Sequence, residues 1–219
     1  NFFKKRIYNI HVGLLPAQKG AGGATWIKLT NSNISAITIH EVSQELDAGR
    51  ILIEKKFKLK KNFSLINYYN QTRGCEKKTY NNFFNLIKKK IFLLKKQNKK
   101  EDVYMPRLNT KIHGFIDWNW KAKHIVDFVN AFSDPYQGAS TFIKNEKYLL
   151  SHAKLLKHKI NFHPYQSGII FKKEKNSILI AATEGVVQIK KISKITGEKY
   201  PIKKLKLGAR FFTPIKELE

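Results

Sequence analysis

Two polar side chains set two positions apart, Asn9 and His11, close an apolar run, and a carboxylate, Asp47, follows after a second strand-like stretch. Residues two apart in a strand share one face, so Asn9 and His11 are expected to point the same way. An amide and an imidazolium both donate hydrogen bonds to an oxygen that gains negative charge. A carboxylate accepts the proton that an attacking amine must shed, directly or through water. These types suit attack of a neutral amine on an amide-like carbonyl. Asn9 and His11 would polarise the carbonyl, while Asp47 removes the proton and, by proximity, holds His11 in its charged form. Taken alone, an Asn-x-His pair also satisfies a strand end, and Asp47-Ala48-Gly49 also makes an ordinary turn.

The elements that must position them can be read outward. Arg6 to His11 reads as a short buried strand ending in polar residues. A loop follows, carrying Pro16 and the glycines Gly13, Gly20, Gly22 and Gly23, fit for a sharp turn or close approach to a ligand. Ala24 to Thr30 reads as a helix. Ile34 to His40 and Ile51 to Leu59 alternate as strands, with a turn at Asp47-Ala48-Gly49 between them. In open α/β sheets ligands lie at the carboxyl ends of strands, and His11 stands where a strand gives way to the glycine-bearing loop. Asp47 comes after a crossover and a second strand, a path that returns to the same rim.

Asn62 to Lys96 reads as mostly helical, because Tyr80, Phe83, Phe84, Ile87, Ile91 and Leu94 recur at three- and four-residue steps. Gln97 to Asp102 reads as a polar linker. A hydrophobic turn, Phe115-Ile116-Asp117-Trp118, then precedes a helix from about Trp120 to Phe132, ended by Asp134-Pro135-Tyr136-Gln137-Gly138-Ala139. Five short strands are expected after it: Ser140 to Ile143, Lys147 to Leu156, Ser167 to Phe171, Ser177 to Ala182 and Val186 to Ile192. Their spacing suggests a small barrel. The organisation is an α/β piece followed by a small β-rich domain.

Composition narrows the classes. The net charge of +26 invites a polyanion partner, yet arginine supplies only Arg6, Arg50, Arg73, Arg107 and Arg210 among 42 basic residues. Nucleic-acid readers favour arginine's bidentate fork, so charge alone is a poor argument for general nucleic-acid binding; salt-dependent adhesion to polyanions is still expected. Cys75 is the single cysteine, which excludes an intrachain disulfide and suits a reducing cytoplasm. No apolar run reaches the ~18 residues of a membrane span, and no signal-peptide pattern opens the chain. It starts without Met, and its N-terminal part is suspected to be missing. His113, His124, His152, His158 and His163 have no zinc spacing, and no metal is expected. His40, at a strand end near the rim, reads as structural before it reads as acceptor-shaping. Trp118 and Trp120 are expected to pack the junction between the two parts, and Arg210-Phe211-Phe212 to form a last packed segment.

Asn9, His11, Leu14, Leu15, Pro16, Gly20, Asp47 and Gly49 together resemble the signature of the folate-dependent formyltransferases: Asn-x-His-x-Ser-Leu-Leu-Pro, then Arg-Gly, then a distant Asp, a small residue and Gly. The resemblance implies that Asn9, His11 and Asp47 are catalytic. It implies that Gly13, Leu14, Leu15 and Pro16 line the folate pocket and that 10-formyltetrahydrofolate is the co-substrate. Gly13 departs from the family's Ser, and Lys19 from its Arg. The second region, from Phe115 through Ala139, resembles the C-terminal domain of the two-domain members. The implied fold is α/β: the C-terminal part of a Rossmann-like formyltransferase domain (1–104), then an OB-like β-barrel domain (105–219). The first strands of the Rossmann-like sheet are absent, with much of the pterin pocket, and turnover by the chain alone is left open. The motif from Asp134 to Ala139 is closer to enzymes that formylate a nucleotide-linked amino sugar for surface polysaccharide, so that acceptor is expected, with methionyl-tRNA as the alternative. A non-catalytic module, with the barrel holding an oligonucleotide or oligosaccharide, is the reading from another class.

Overall fold

The computed structural model describes residues 7–21, 23–157, 159 and 161–218, in two compact units, 1–107 and 108–219. Arg6, Gly22 and His158 lie outside the described residues.

The first unit is organised around β3 (Ile34–Glu41), flanked by β1 (Tyr8–Val12) and β4 (Ile51–Lys58). Its six inner residues, Ser35 to His40, are all buried. A strand covered on both faces must pair its own polar groups inside the protein, which is what brings Ser35, Thr38 and His40 into hydrogen bonds. β1 and β4 both run antiparallel to β3, with Asn9 opposite His40 and His11 opposite Thr38. The expected crossover between parallel strands is therefore absent among the described residues. Helix α1 (Gly23–Leu29) joins neighbouring antiparallel strands, and Asp47 returns to β1 through the β3–β4 connection.

Helix α2 (Leu65–Lys88) begins at a capping box, in which Ser64 and Asn67 exchange side chain-to-backbone bonds. It buries Leu65, Tyr68, Thr72, Cys75 and Thr79, one stripe at helical spacing. The helix stops short of the expected Lys96. Lys90 adopts a left-handed φ of 56°, and Lys95 then exchanges two backbone bonds of 2.8 Å with Ile51. Backbone pairing to β4 replaces the helical ladder.

In the second unit α3 (Ala122–Ala131) lays Ile125, Val126 and Val129 on a five-stranded antiparallel sheet. Its strands are β6 (Ala139–Ile143), β7 (Glu146–Leu156), β8 (Ile170–Lys173), β9 (Ile178–Ala182) and β10 (Gly185–Lys194), in the order β6-β7-β10-β9-β8. The sheet does not close into the expected barrel, because β6 and β8 do not pair with each other. Instead residues 208–212 bond to both edges: Phe212 exchanges two bonds with Phe142, while Gly208 and Ala209 bond to Ile170. Trp118 donates to Thr141 Oγ1 at 2.9 Å and stacks on Phe211, and Trp120 packs edge-on to Phe128. Both tryptophans thus have these partners inside the second unit, where a junction role was expected. Of Arg210-Phe211-Phe212, expected to form a packed segment, Phe211 is fully buried while Arg210 is half-buried and Phe212 exposed.

Candidate active site

Asn9, His11 and Asp47 meet in the first unit around the Asp47 carboxylate. β1 supplies Asn9 and His11 from one strand face, and β3 supplies His40 opposite Asn9. Asp47 sits on the β3–β4 connection at a left-handed φ of 50°, a conformation that aspartate tolerates better than most residues. Its Oδ2 lies 3.5 Å from His11 Nδ1 and accepts the Gly20 backbone N–H at 3.0 Å. Its Oδ1 lies 3.4 Å from both Asn9 Nδ2 and His40 Nε2. Asn9 Nδ2 and His40 Nε2 are 3.2 Å apart. These three atoms form a near-equilateral triangle, so the Asn9 amide faces both Asp47 Oδ1 and His40 Nε2 as acceptors.

Hydrogen-bond partners assign the imidazole protons. A backbone carbonyl only accepts, so His11 Nε2, 2.6 Å from the Gln18 carbonyl, carries hydrogen. His40 Nδ1, 2.8 Å from the Glu41 carbonyl, does too. The nitrogens left facing Asp47 are His11 Nδ1 and His40 Nε2. Burial pushes the His11 imidazole below the ordinary histidine range, against the opposing pull of the Gln18 carbonyl and the Asp47 charge, while His40 lowers it further. The expectation that Asp47 keeps His11 charged is corrected: desolvation of a side chain only 9% exposed outweighs the carboxylate.

The loop after β1 packs tightly on this cluster. A Cβ at Gly13 would come within 2.6 Å of His11 Nε2 and 2.9 Å of the Gln18 carbonyl, so glycine leaves the room that the His11 ring occupies. Gly13, Leu15 and Pro16 are buried and Leu14 half-buried. Thr38 donates to the Gly13 carbonyl, and Gln18 Oε1 accepts the Leu14 N–H. Of the four residues expected to line a folate pocket, Gly13 stands directly beside His11, in a loop tied to β3 through Thr38.

Sequence reasoning missed the part played by Gln97 to Asp102, read as a linker. Gln97 Nε2 donates to the Asp47 and Gly49 carbonyls, both at 2.7 Å, and clamps the turn that carries the carboxylate. Its Oε1 is buried without a hydrogen-bond partner. Asp102 pairs at 2.6 Å with Lys19, whose ammonium is mostly buried. β5 (Tyr104–Met105) runs parallel to β2 (Lys19–Gly20). The segment carries no apolar periodicity, so nothing in its pattern distinguished a strap from a tether. In the second unit, His152 lies 2.7 Å from Asp134 Oδ2. Among the described residues no group of three or more His, Cys, Asp or Glu side chains is arranged to hold a metal ion, and no helix is long and apolar enough to cross a membrane.

Comparison with known proteins adds an independent line. The family model described as formyl transferase matches residues 1–83, and that of the formyl transferase C-terminal domain matches residues 109–210. The bifunctional polymyxin resistance protein ArnA of Wigglesworthia glossinidia brevipalpis is 26% identical over 220 residues, covering 91% of this chain and 32% of the relative. A methionyl-tRNA formyltransferase of Nitrosomonas europaea is 24% identical over 191 residues, covering 87% of this chain and 58% of the relative. An N-formyltransferase from Helicobacter canadensis, solved with folinic acid and dTDP-3-aminofucose, superposes with a TM-score of 0.66 at 20% identity, over 89% of this chain and 66% of that one. The chain thus spans between about a third and two-thirds of the length of these relatives.

Proposed function

We propose that this chain, which belongs to the formyl transferase family, serves a transferase that moves the formyl group of 10-formyltetrahydrofolate onto the amine of a nucleotide-linked amino sugar. The observation that carries this reading is the single carboxylate, Asp47, with Asn9, His11 and His40 around it. Residues 1–104 are the C-terminal part of the catalytic domain, and 105–219 the family's C-terminal domain.

The chemistry follows from the donors available. An N–H of Asn9 meets the formyl oxygen and strengthens its bond as negative charge builds there. The His11 Nε2–H, now on the Gln18 carbonyl, is the second donor, and co-substrate entry displaces that bond. Asp47 takes the proton from the attacking amine, directly or through one water. Gly13, Leu14, Leu15 and Pro16 border the formyl donor, whose folate class is supported by the solved relative with folinic acid. The sugar acceptor is favoured by that same relative, which was solved with dTDP-3-aminofucose. Methionyl-tRNA is the second reading, favoured by the Nitrosomonas europaea relative and by the +26 charge.

The test is transfer from 10-formyltetrahydrofolate by the complete protein, with nucleotide-linked amino sugars and methionyl-tRNA supplied in parallel. Formylated sugar nucleotide is the expected product. Formylation of the tRNA alone would move the assignment to the second reading, and no transfer to either would overturn both.

A further inference from the structure

The His11, Asp47 and His40 side chains make an arrangement that three-residue chemistry does not require: one carboxylate between two buried imidazoles. Each imidazole has its distal nitrogen on a backbone carbonyl, Gln18 at 2.6 Å and Glu41 at 2.8 Å. Each therefore presents to Asp47 the nitrogen that can gain or lose a second hydrogen. With no hydrogen there, lone pairs face lone pairs across 3.4 and 3.5 Å. One proton on either side turns repulsion into a charge-assisted bond. His40 is the more anchored of the two, 2% exposed and fixed by its own Glu41 carbonyl. The other charged groups nearby are already paired: Glu41 with Arg50 at 2.7 Å and Lys19 with Asp102 at 2.6 Å.

We propose that His40 is a positioning residue for the transfer reaction, holding through Asp47 the proton that the amine gives up until the departing nitrogen takes it back. The reaction reading above supplies the substrates; the proton-holding geometry stands on its own. The amine nitrogen forms a bond to the formyl carbon, and the carbonyl pair moves onto oxygen. The new ammonium loses its proton to Asp47, and His40 Nε2 takes it while His40 Nδ1–H stays on Glu41. In that state Nε2 becomes a donor to Asp47 Oδ1 and no longer accepts from Asn9, so the Asn9 amide keeps Asp47 Oδ1 as its one acceptor in the cluster and can turn an N–H to the oxyanion as it forms. The oxygen pair then re-forms the carbonyl, the bond to the tetrahydrofolate nitrogen breaks, and that nitrogen receives the stored proton through Asp47. One C–N bond forms, one breaks, and one proton changes nitrogen.

Two measurements decide it. Long-range 1H–15N spectra of the histidine-labelled chain near neutral pH should give His40 as the Nδ1–H tautomer, with Asp47→Asn altering the signals of both His40 and His11. An Nε2–H tautomer at His40, or a His40 signal indifferent to Asp47→Asn, overturns the proposal without any activity measurement. In the transfer assay with the complete protein, His40→Gln keeps an acceptor for Asn9 but cannot hold the proton. We expect kcat to fall on the order of 100-fold, KM to stay within about twofold as for a group acting only beyond the ground state, and the acid limb of the kcat profile to flatten. An unchanged kcat, or an unchanged profile shape, overturns the role. A wild-type protein that transfers nothing overturns the function reading and this role with it. An active wild type with the wrong His40 tautomer overturns this role alone.

Discussion

Gly13→Ala isolates the fit between the loop and the His11 ring. The backbone at Gly13 is not in the left-handed region, so alanine can adopt it, and the whole penalty is steric. The added Cβ would lie 2.6 Å from His11 Nε2, 3.0 Å from His11 Cδ2 and 2.9 Å from the Gln18 carbonyl. The carbonyl is main chain and yields little, so the ring must move. Overpacking of a tight site costs about 1–3 kcal/mol. Loss of the 2.6 Å bond between His11 and Gln18 costs about 1 kcal/mol more. The smaller unfolded-state entropy of alanine offsets about 0.4–1 kcal/mol. The net expectation is destabilisation of about 2 kcal/mol, read from the urea midpoint at constant slope. The control is the cycle with His11→Ala. Removing the ring removes its two close contacts but leaves the 2.9 Å approach to the Gln18 carbonyl, so Gly13→Ala in that background should still destabilise, by about 1 kcal/mol less, a coupling of about 1 kcal/mol. Equal costs in the two backgrounds would refute the reasoning, because the ring would then not be what the methyl meets.

Three further outcomes follow from the site. The depressed His11 pKa means that the unfolded chain binds a proton before the folded one does. Stability is therefore full above the ordinary histidine value of about 6.5 and is lost as pH falls from there through the folded-state value; urea midpoints between pH 7.5 and 5.5 should record this, and His11→Gln should remove its share. Gln97→Glu puts carboxylate oxygens where two N–H groups now meet the Asp47 and Gly49 carbonyls, and thermal unfolding should find it less stable than Gln97→Ala, which loses about 2 kcal/mol. Asp102→Ala strands the Lys19 ammonium, 9% exposed, and should cost about 2 kcal/mol by urea titration, whereas Lys19→Met leaves a half-solvated carboxylate and should be close to neutral.

The sequence displayed the strands of both units well because their patterns are local. The alternation in Ile34 to His40 needs only the burial of two faces to be legible, and α2 announces itself by its apolar stripe. What it hid was non-local. The helix end at Lys88 depends on Lys95 finding the Ile51 backbone. The strap at Gln97 and Asp102 depends on partners far back in the chain, the Asp47 turn and Lys19. The meeting of Asn9, His11 and Asp47 was expected through the resemblance to the formyltransferase signature, since residue types and spacing alone suit a strand end and a turn equally well. The state of His11 could not, since desolvation and a neighbouring carboxylate oppose each other and only burial decides between them. His40 was visible as a strand-end histidine, but its pairing opposite Asn9 belongs to strand register, which a single strand does not reveal.

The double attachment of residues 208–212 has a bearing on how the second unit is made. Until that stretch emerges from the ribosome, Phe142 on one margin of the sheet and Ile170 on the other offer bare amides and carbonyls to any passing strand. Contacts reaching across 71 positions, as from Thr141 to Phe212, form late and slowly. A nascent chain paused before Gly208 would therefore be at its most adhesive, and premature termination there would yield a sticky product rather than a merely shortened one.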